Sequence, residues 1–302
     1  MAGVPFEVCC TDPKALRQAA IVLRGSIDRE PSGAQPPAAR WHLAAVTPDA
    51  AIDSQEQEPP DPDGSSTWLV RRDRCTETWR RRDLDAALRV VEFGSVLAVV
   101  EGDQSLVTLH GALLDREGRG LLILGPCESG KSTLAAALWR QGWTLLGDDV
   151  SVADAGGRAK PVQRRVSLRH GSRALLGETL WQRVLAAPSC SATDEGFLFH
   201  PAELDAAPHP ASTKLAAIVF LARRGVQLGP AQVAPITAAQ ALLAAAPYSN
   251  VIRRQGLPAA LERLQPLVEA APAFDLGRGP LPVMIAAIER RIVPATTPDG
   301  TA

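Results

Sequence analysis

The stretch GLLILGPCESGKSTLAAALWRQ, Gly120–Gln141, decides the fold class of this chain. Its first residues form a short, continuous apolar run, which predicts a buried strand. Its last residues are strong helix formers, and the segment between them fills the pattern G-x-x-x-x-G-K-[ST]. The order of strand, glycine-rich loop and helix predicts an α/β protein that carries a phosphate-binding loop.

The predicted phosphate loop contains the residue types that hold a nucleotide. Consecutive backbone N–H groups curl around a phosphate, and glycines permit the dihedral angles and the close approach. A helix beginning at Lys131 directs the positive end of its dipole at the anion. We expect Lys131 to reach the β- and γ-phosphates and the Ser132 hydroxyl to coordinate Mg²⁺. The predicted nucleotide-binding residues are Gly125, Pro126, Cys127, Glu128, Ser129, Gly130, Lys131, Ser132 and Thr133.

One residue of the loop departs from the usual pattern. The position of Glu128 is more often small, and an acidic side chain beside a triphosphate is repulsive. We therefore expect Glu128 to point into solvent if the loop binds nucleotide.

Two adjacent carboxylates follow the next predicted strand, in GDDV, Gly147–Val150. Adjacent side chains alternate between the faces of a strand, but at a strand end the backbone can turn and bring both to one site. One carboxylate could then hold Mg²⁺ and the other accept a proton from an incoming hydroxyl. A turn with two solvated acids is the alternative, and the preceding loop and helix favour the first interpretation.

A histidine completes the candidate site. His110 precedes Gly111 in the apolar stretch SLVTLHGALL, which we interpret as one strand or as an entry into a helix. A lone histidine in such a stretch is usually a core residue. Its place on the strand neighbouring the phosphate loop predicts instead that it lies across the cleft from the phosphates.

These motifs together resemble the catalytic domain of HPr kinase/phosphorylase and its related kinases. The resemblance runs from Leu109 to Val152 and includes the His-Gly pair, the turn at Asp115, the phosphate loop, the R-Q-G-W helix end and the Asp-Asp pair. It implies an α/β P-loop kinase domain with a mixed sheet, akin to ATP-dependent phosphoenolpyruvate carboxykinase.

The resemblance also implies an activity. ATP and Mg²⁺ would be the nucleotide and metal, and the reaction would be phosphoryl transfer to a serine-type hydroxyl. Asp149 would accept the proton, His110 and Lys131 would act on the phosphate, and Ser132 would be a metal ligand. Asp148 would assist through the metal or by orientation. The resemblance also leaves open that this chain forms a homo-oligomer.

The chain departs from that family after the Asp-Asp pair. The bifunctional enzyme has a Gly/Arg-rich RGLGI-type segment that contacts its protein substrate, whereas this chain reads KPVQRRVSLRHGSRALLGETLWQRV, Lys160–Val184. HPr is therefore a poor guess for the substrate. Related kinases without the segment include some that phosphorylate a peptide hydroxyl, so a peptide or protein Ser/Thr is the expected acceptor. Arg164, Arg165 and Arg169 are expected on a solvated strand face rather than in the cleft.

Composition sets limits on location and partners. The 302 residues carry a net charge of -1, which points to neither nucleic acid nor a membrane surface. No apolar run has the roughly 18 residues of a membrane helix, and the N-terminus lacks the apolar region of a signal peptide. Five cysteines without metal-ligand spacing fit a reducing compartment, so the expected location is the cytoplasm.

The chain divides by pattern into three parts. Residues 1–66 are predicted to form a small N-terminal α/β region that ends in an acidic, Pro-rich linker. Residues 67–294 are the predicted catalytic domain, and residues 295–302 form a frayed tail. Within the second part, DLDAALRVVEFGSVLAVVEG, Asp83–Gly102, predicts a helix followed by a strand.

Three functions compatible with these motifs remain besides a peptide or protein kinase. A kinase for a small hydroxyl metabolite would use the same residues. A nucleotide-binding regulator or NTPase would bind the nucleotide without an acceptor, although no N-K-x-D guanine signature is present. A degenerate member would bind a partner without turnover, which the unusual Glu128 and the missing segment leave open.

Overall fold

The structure, a computed structural model, describes residues 6–23, 39–46, 56–57, 67–73, 78–103, 105–162, 164–205, 208–223 and 225–292. They form a mixed α/β protein that divides into two compact units. The first lies within Met1–Asp103 and Gln163–Arg165, and the second lies within Gln104–Val162 and Val166–Ala302. The tail predicted at residues 295–302 lies outside the described residues.

The first unit contains a five-stranded sheet with two helices. Its strands have the order β1-β2-β4-β5-β3, in which β2, β4 and β5 pair antiparallel. Its elements are β1 Phe6–Cys10, α1 Pro13–Val22, β2 Ala39–Val46, β3 Glu56–Gln57, β4 Thr67–Arg72, β5 Thr78–Arg81 and α2 Leu84–Gly102. Most of the predicted acidic linker lies outside the described residues, but β3 within it pairs with β5 and is not a loop.

The structure groups some of these elements differently from the sequence pattern. Strand β4 and helix α2, which we grouped with the catalytic domain, pack in the first unit. Asp83 begins α2, because its side chain accepts a hydrogen bond from the backbone N–H of Ala86 at 2.7 Å. The helix continues to Gly102, so the prediction of a helix followed by a strand is wrong. Its β-branched residues are accommodated in the helix because Val91 packs in a core with Trp41 and Val70 of the sheet.

The second unit is built on a nine-stranded sheet. Seven strands have the order β6-β10-β11-β15-β8-β7-β9, and β17 pairs with β15 and with β16. The elements in chain order are β6 Leu106–Leu109, β7 Gly111–Arg116, β8 Arg119–Leu124, α3 Lys131–Arg140, β9 Thr144–Gly147, β10 Ser151–Asp154, β11 Arg158–Lys160, β12 Val166–Arg169, α4 Ser172–Leu176, α5 Glu178–Leu185, β13 Ser191–Thr193, β14 Gly196–Phe199, β15 Thr213–Leu221, β16 Val233–Ile236, α6 Ala238–Ala245, α7 Asn250–Ala270, β17 Ala273–Leu276 and α8 Leu281–Ala287.

Strand β8 lies in the middle of this sheet, and both of its faces are buried. Leu121 and Ile123 pack in one core with residues of α3 and α8. Leu122 and Leu124 pack in the other core with residues of α6 and α7. The continuous apolar run in the sequence therefore reflects a strand with helices on both faces.

The remaining strands of the unit form a small antiparallel sheet with the order β12-β14-β13. The stretch SLVTLHGALL is not one strand, because β6 ends at Leu109 and β7 begins at Gly111 with His110 between them. Within the part of the chain that the structure describes, no helix combines the length and apolarity needed to cross a membrane.

Candidate active site

The candidate site lies where several strands of the large sheet end together. Strands β8, β15 and β17 are mutually parallel, and β7 runs antiparallel to both β8 and β9. The carboxyl ends of β8, β9, β15 and β17 therefore share one edge, which is where open α/β sheets bind ligands. The predicted phosphate loop, residues 125–130, follows β8, and the two aspartates follow β9.

The phosphate loop connects Leu124 of β8 to Lys131 of α3. A side chain at Gly125 would place its Cβ 2.5 Å from the carbonyl oxygen of Leu221, so only glycine fits beside β15. Gly130 has a φ of +96° immediately before the helix begins. The two glycines of the pattern are thus required by contact and by backbone conformation.

The buried side chain of Lys131 binds to the backbone of the loop. Its ammonium group donates hydrogen bonds to the carbonyl oxygens of Gly125 at 2.9 Å and Pro126 at 3.0 Å. Burial lowers the pKa of Lys131 below its ordinary value, against attraction from Cys127, Asp148 and Asp149. The lysine and both aspartates therefore lie within electrostatic reach of one another.

Asp148 is the buried member of the acidic pair. Its residue is 8% exposed, and burial raises the pKa of its carboxyl group. A hydrogen bond with the Ser132 side chain acts in the opposite direction, the charge of Asp149 raises the pKa further, and Lys131 lowers it. Asp148 therefore links the strand end to the first turn of α3.

Asp149 is the exposed member, and it pairs with His110. Its Oδ1 lies 2.9 Å from Nδ1 of His110, with 54% of the aspartate side chain and 39% of the histidine side chain exposed. Asp149 has a left-handed φ of +68°, which aspartate tolerates better than most residues. This turn ends the alternation of the strand, so that Asp148 and Asp149 both approach the loop.

The backbone fixes His110 between two strands. Its N–H donates to the carbonyl oxygen of Tyr248 at 2.7 Å. The next residue, Gly111, pairs with Leu124, which directly precedes the phosphate loop. The structure thus brings His110 together with Lys131, Asp148 and Asp149, the four residues predicted to carry the chemistry.

The oxygen atoms near Lys131 fit a magnesium ion bound to a nucleotide. Asp148 Oδ1 and Ser129 Oγ are buried and have no hydrogen-bond partner among the described residues. Buried polar atoms are normally paired, so both are candidates to contact a bound group. The Ser132 hydroxyl and the Asp148 carboxylate are hard oxygen ligands, and Mg²⁺ usually takes only one or two such protein ligands beside phosphates and waters.

The side chains of the loop divide by exposure. Pro126, Cys127 and Glu128 are exposed, and Ser129 and Lys131 are buried. Glu128 has a left-handed φ of +61°. Its exposure meets the condition set by the sequence, that this acid point into solvent if the loop holds a phosphate.

One contact at the loop was missed from the sequence. The guanidinium group of Arg278, which follows β17, donates a hydrogen bond to the carbonyl oxygen of Glu128 at 2.7 Å. The sequence shows only an arginine between two glycines there, which is not a signal for this contact. Because 150 residues separate the two partners, local patterns do not connect them.

The arginines predicted on a solvated strand face lie in different surroundings. Arg169 is exposed on β12, as expected. Arg164 is half-buried, with its guanidinium 5.7 Å from the ring centroid of Phe93. Arg165 is buried and pairs with Glu92 and Asp85 in the first unit, so the prediction of a solvated side chain is wrong for this residue.

No protein-family model and no curated protein sequence matches the chain. A similar solved structure is the HPr(Ser) kinase/phosphatase from Coxiella burnetii, at 16% identity, covering 61% of this chain and 93% of that chain. The TM-score of 0.32 is too low to establish a common fold, so the functional argument depends on the site itself.

Proposed function

We propose that this chain is an ATP- and Mg²⁺-dependent kinase that transfers the γ-phosphoryl group to a hydroxyl of a peptide or protein Ser/Thr. The observation that carries the proposal is the convergence of Lys131, Asp148 and Asp149 beside one phosphate loop. Phosphoryl transfer needs positioning and charge neutralisation more than covalent chemistry by the protein, and these groups supply both.

The residues have separate roles in this proposal. The loop and Lys131 bind the phosphates, and Ser132 with Asp148 would hold the metal. When bound, Mg²⁺ neutralises charge on the phosphate oxygens. The oxygen of the acceptor hydroxyl bonds to the γ-phosphorus, and Asp149 accepts the proton of that hydroxyl. The bond between the γ-phosphorus and the bridging oxygen breaks, and ADP is the leaving group.

The exposure of the His110–Asp149 pair is compatible with a large acceptor. More than a third of each side chain is exposed, so a hydroxyl presented on another chain can reach the carboxylate. A small hydroxyl metabolite can reach it as well, and the two acceptor classes are separated by assay.

The experiment incubates the full chain with Mg²⁺ and γ-labelled ATP, together with Ser/Thr peptide libraries or pooled hydroxyl metabolites. We expect label on a peptide hydroxyl. Asp149→Asn should still bind ATP but lower the transfer rate by about 10²–10⁴-fold, because the proton acceptor is lost. Asp194→Asn, an exposed aspartate in the turn between β13 and β14, is the matched control and should transfer at the wild-type rate.

The other outcomes identify the alternatives. Release of inorganic phosphate without any labelled acceptor would indicate an NTPase or nucleotide-dependent regulator. Binding of ATP with neither transfer nor hydrolysis would indicate a partner-binding protein, and absence of ATP binding would overturn the proposal.

A further inference from the structure

Arg278 occupies a position at the phosphate loop that the proposed mechanism does not use. It follows β17, at the same sheet edge as the phosphate loop and the two aspartates. Its Nη2 donates to the carbonyl oxygen of Glu128, the fourth residue of the loop, at 2.7 Å. Lys131 donates to the carbonyl oxygens of the first two loop residues. Lys131 and Arg278 therefore contact different parts of the loop backbone.

The backbone that carries Arg278 is fixed by close packing. A Cβ at Gly277 would lie 2.2 Å from the carbonyl oxygen of Gly229, which leaves no room for a side chain. The N–H of Gly277 donates to the carbonyl oxygen of Gln232 at 2.9 Å. The direction of Arg278 toward the loop is therefore set by main-chain contacts on the adjoining segment.

The charge of Arg278 is not neutralised within the described part of the chain, where no carboxylate lies within ion-pair distance of it. Arg223, which follows β15, contrasts with it, because its guanidinium pairs with both carboxylate oxygens of the buried Asp275. A guanidinium group has five N–H donors, and among the described residues that of Arg278 makes one hydrogen bond, to a neutral carbonyl. The remaining donors suit a planar, bidentate contact with phosphate oxygens.

We propose that Arg278 is a catalytic residue that contacts the terminal phosphoryl group of the bound nucleotide, supplied from the same chain. This inference rests on the proposed kinase function. As the bond between the γ-phosphorus and the bridging oxygen breaks, charge develops on the phosphoryl oxygens, and an arginine there stabilises it. The same cation offsets the acidic Glu128, the feature of the loop that is unfavourable to a triphosphate.

The test compares Arg278→Ala and Arg278→Lys with Arg140→Ala in the full chain. Arg140 is also exposed and also donates to one backbone carbonyl, that of Leu175, but it lies at the opposite end of α3 from the loop. We expect Arg278→Ala to lower kcat by about 1,000-fold, within the range for arginines in phosphoryl transfer, and Arg140→Ala to leave it unchanged. Lysine keeps the charge but not the fork, so Arg278→Lys should recover only part of the rate.

A second measurement separates catalysis from support of the loop. We expect the Kd for ADP to stay within about threefold in Arg278→Ala, whereas tight binding of Mg²⁺·ADP with aluminium fluoride, which mimics the transferring phosphoryl group, is lost. Added guanidinium ion should restore part of the rate of Arg278→Ala. Equal weakening of ADP and ADP–aluminium fluoride, with kcat unchanged, would overturn the proposal in favour of a supporting role.

The two proposals fail in different ways. A wild-type chain that transfers phosphate as fast as Arg278→Ala overturns only the role of Arg278. A wild-type chain that transfers nothing, yet binds ADP–aluminium fluoride more tightly than Arg278→Ala does, overturns the kinase proposal and supports the phosphate contact. A wild-type chain that binds no nucleotide overturns both.

Discussion

His110 Nδ1 and Asp149 Oδ1 lie 2.9 Å apart, at the point where β7 begins and the turn after β9 ends. Two segments that are separate in the sequence thus place an imidazole directly beside the proposed proton acceptor. The contact helps to orient the Asp149 carboxylate, whose side chain is 54% exposed.

The first prediction concerns this pair. His110→Gln should lower the transfer rate by about tenfold or more, and the double variant with Asp149→Asn should be no slower than Asp149→Asn alone, since residues that act as a unit are not additive. Steady-state kinetics of the four proteins measures this. His42→Gln, which disrupts a comparable pair with Asp73 at 2.7 Å in the first unit, should leave the rate unchanged. If the losses of transfer rate in the two single variants add up in the double variant, the prediction that His110 and Asp149 act together is wrong.

The second prediction is that Asp148, the proposed metal ligand, lowers the free energy of unfolding of the chain when no metal is bound. Its raised pKa means that the folded state holds the proton more tightly than the unfolded state does. Its contribution to stability is therefore present below its ordinary pKa of 3.8 and is lost as the pH rises through the raised pKa. Above its ordinary pKa, this buried group costs stability whether it is ionised or takes up a proton on folding, and a neutral amide of the same shape reduces that cost.

Asp148→Asn should accordingly raise the melting temperature of the nucleotide-free chain at pH 7–8, by about 2–4 °C for each kcal/mol gained. The gain should shrink as the pH is lowered toward 4. Mg²⁺ with ATP should stabilise the wild-type chain but not this variant. Thermal melts across pH, with and without Mg²⁺·ATP, measure both effects, and a variant less stable than wild type at every pH would contradict the argument.

The third prediction uses the exposed thiol of the phosphate loop. Cys127 should react with iodoacetamide in the free chain, and Mg²⁺·ATP at ten times its Kd should slow the reaction by about tenfold, because bound nucleotide covers the loop. Peptide mass spectrometry measures each cysteine separately. Cys190, a half-buried cysteine in the same unit, should react at one rate with or without ATP. Unchanged labelling of Cys127 at saturating ATP would place the nucleotide elsewhere.

Local patterns in the sequence predict the central part of the fold. Strand β8, the phosphate loop and α3 lie where the apolar run, the glycines and the helix formers indicate. Thr237 begins α6, and the side chains of Thr237 and Gln240 each accept a hydrogen bond from the other residue's backbone N–H. These features depend on neighbours within about one helical turn, so the sequence contains the information directly.

The features that escaped prediction depend on distant partners or on tertiary packing. The helical conformation of the β-branched residues in α2 is stabilised by the sheet that α2 packs against, and propensity alone favours a strand there. The approach of Arg278 to Glu128 depends on the pairing of β17 with β15. The left-handed backbone conformation of Asp149 needs only a residue that tolerates a positive φ. An aspartate at this position permits that conformation but does not predict it.

Arg165 is the clearest case of a distant partner and supports the last prediction. Its side chain is fully buried, and its Nη2 lies 3.0 Å from Oε2 of Glu92, whose side chain is 1% exposed. The attraction of Glu92 and Asp85 outweighs burial and raises the pKa of the guanidinium group. Arg165→Met should therefore lower the free energy of unfolding by about 3–5 kcal/mol, because it leaves a buried carboxylate without its partner.

Adding Glu92→Gln to Arg165→Met should recover part of that loss, since the remaining charge is removed. Arg164→Met is the matched control, because Arg164 is adjacent in sequence but only half-buried, and it should cost less than about 1 kcal/mol. Urea denaturation of the four proteins measures these differences. A double variant as unstable as Arg165→Met alone would show that the arginine stabilises by packing rather than by compensating the charge of Glu92.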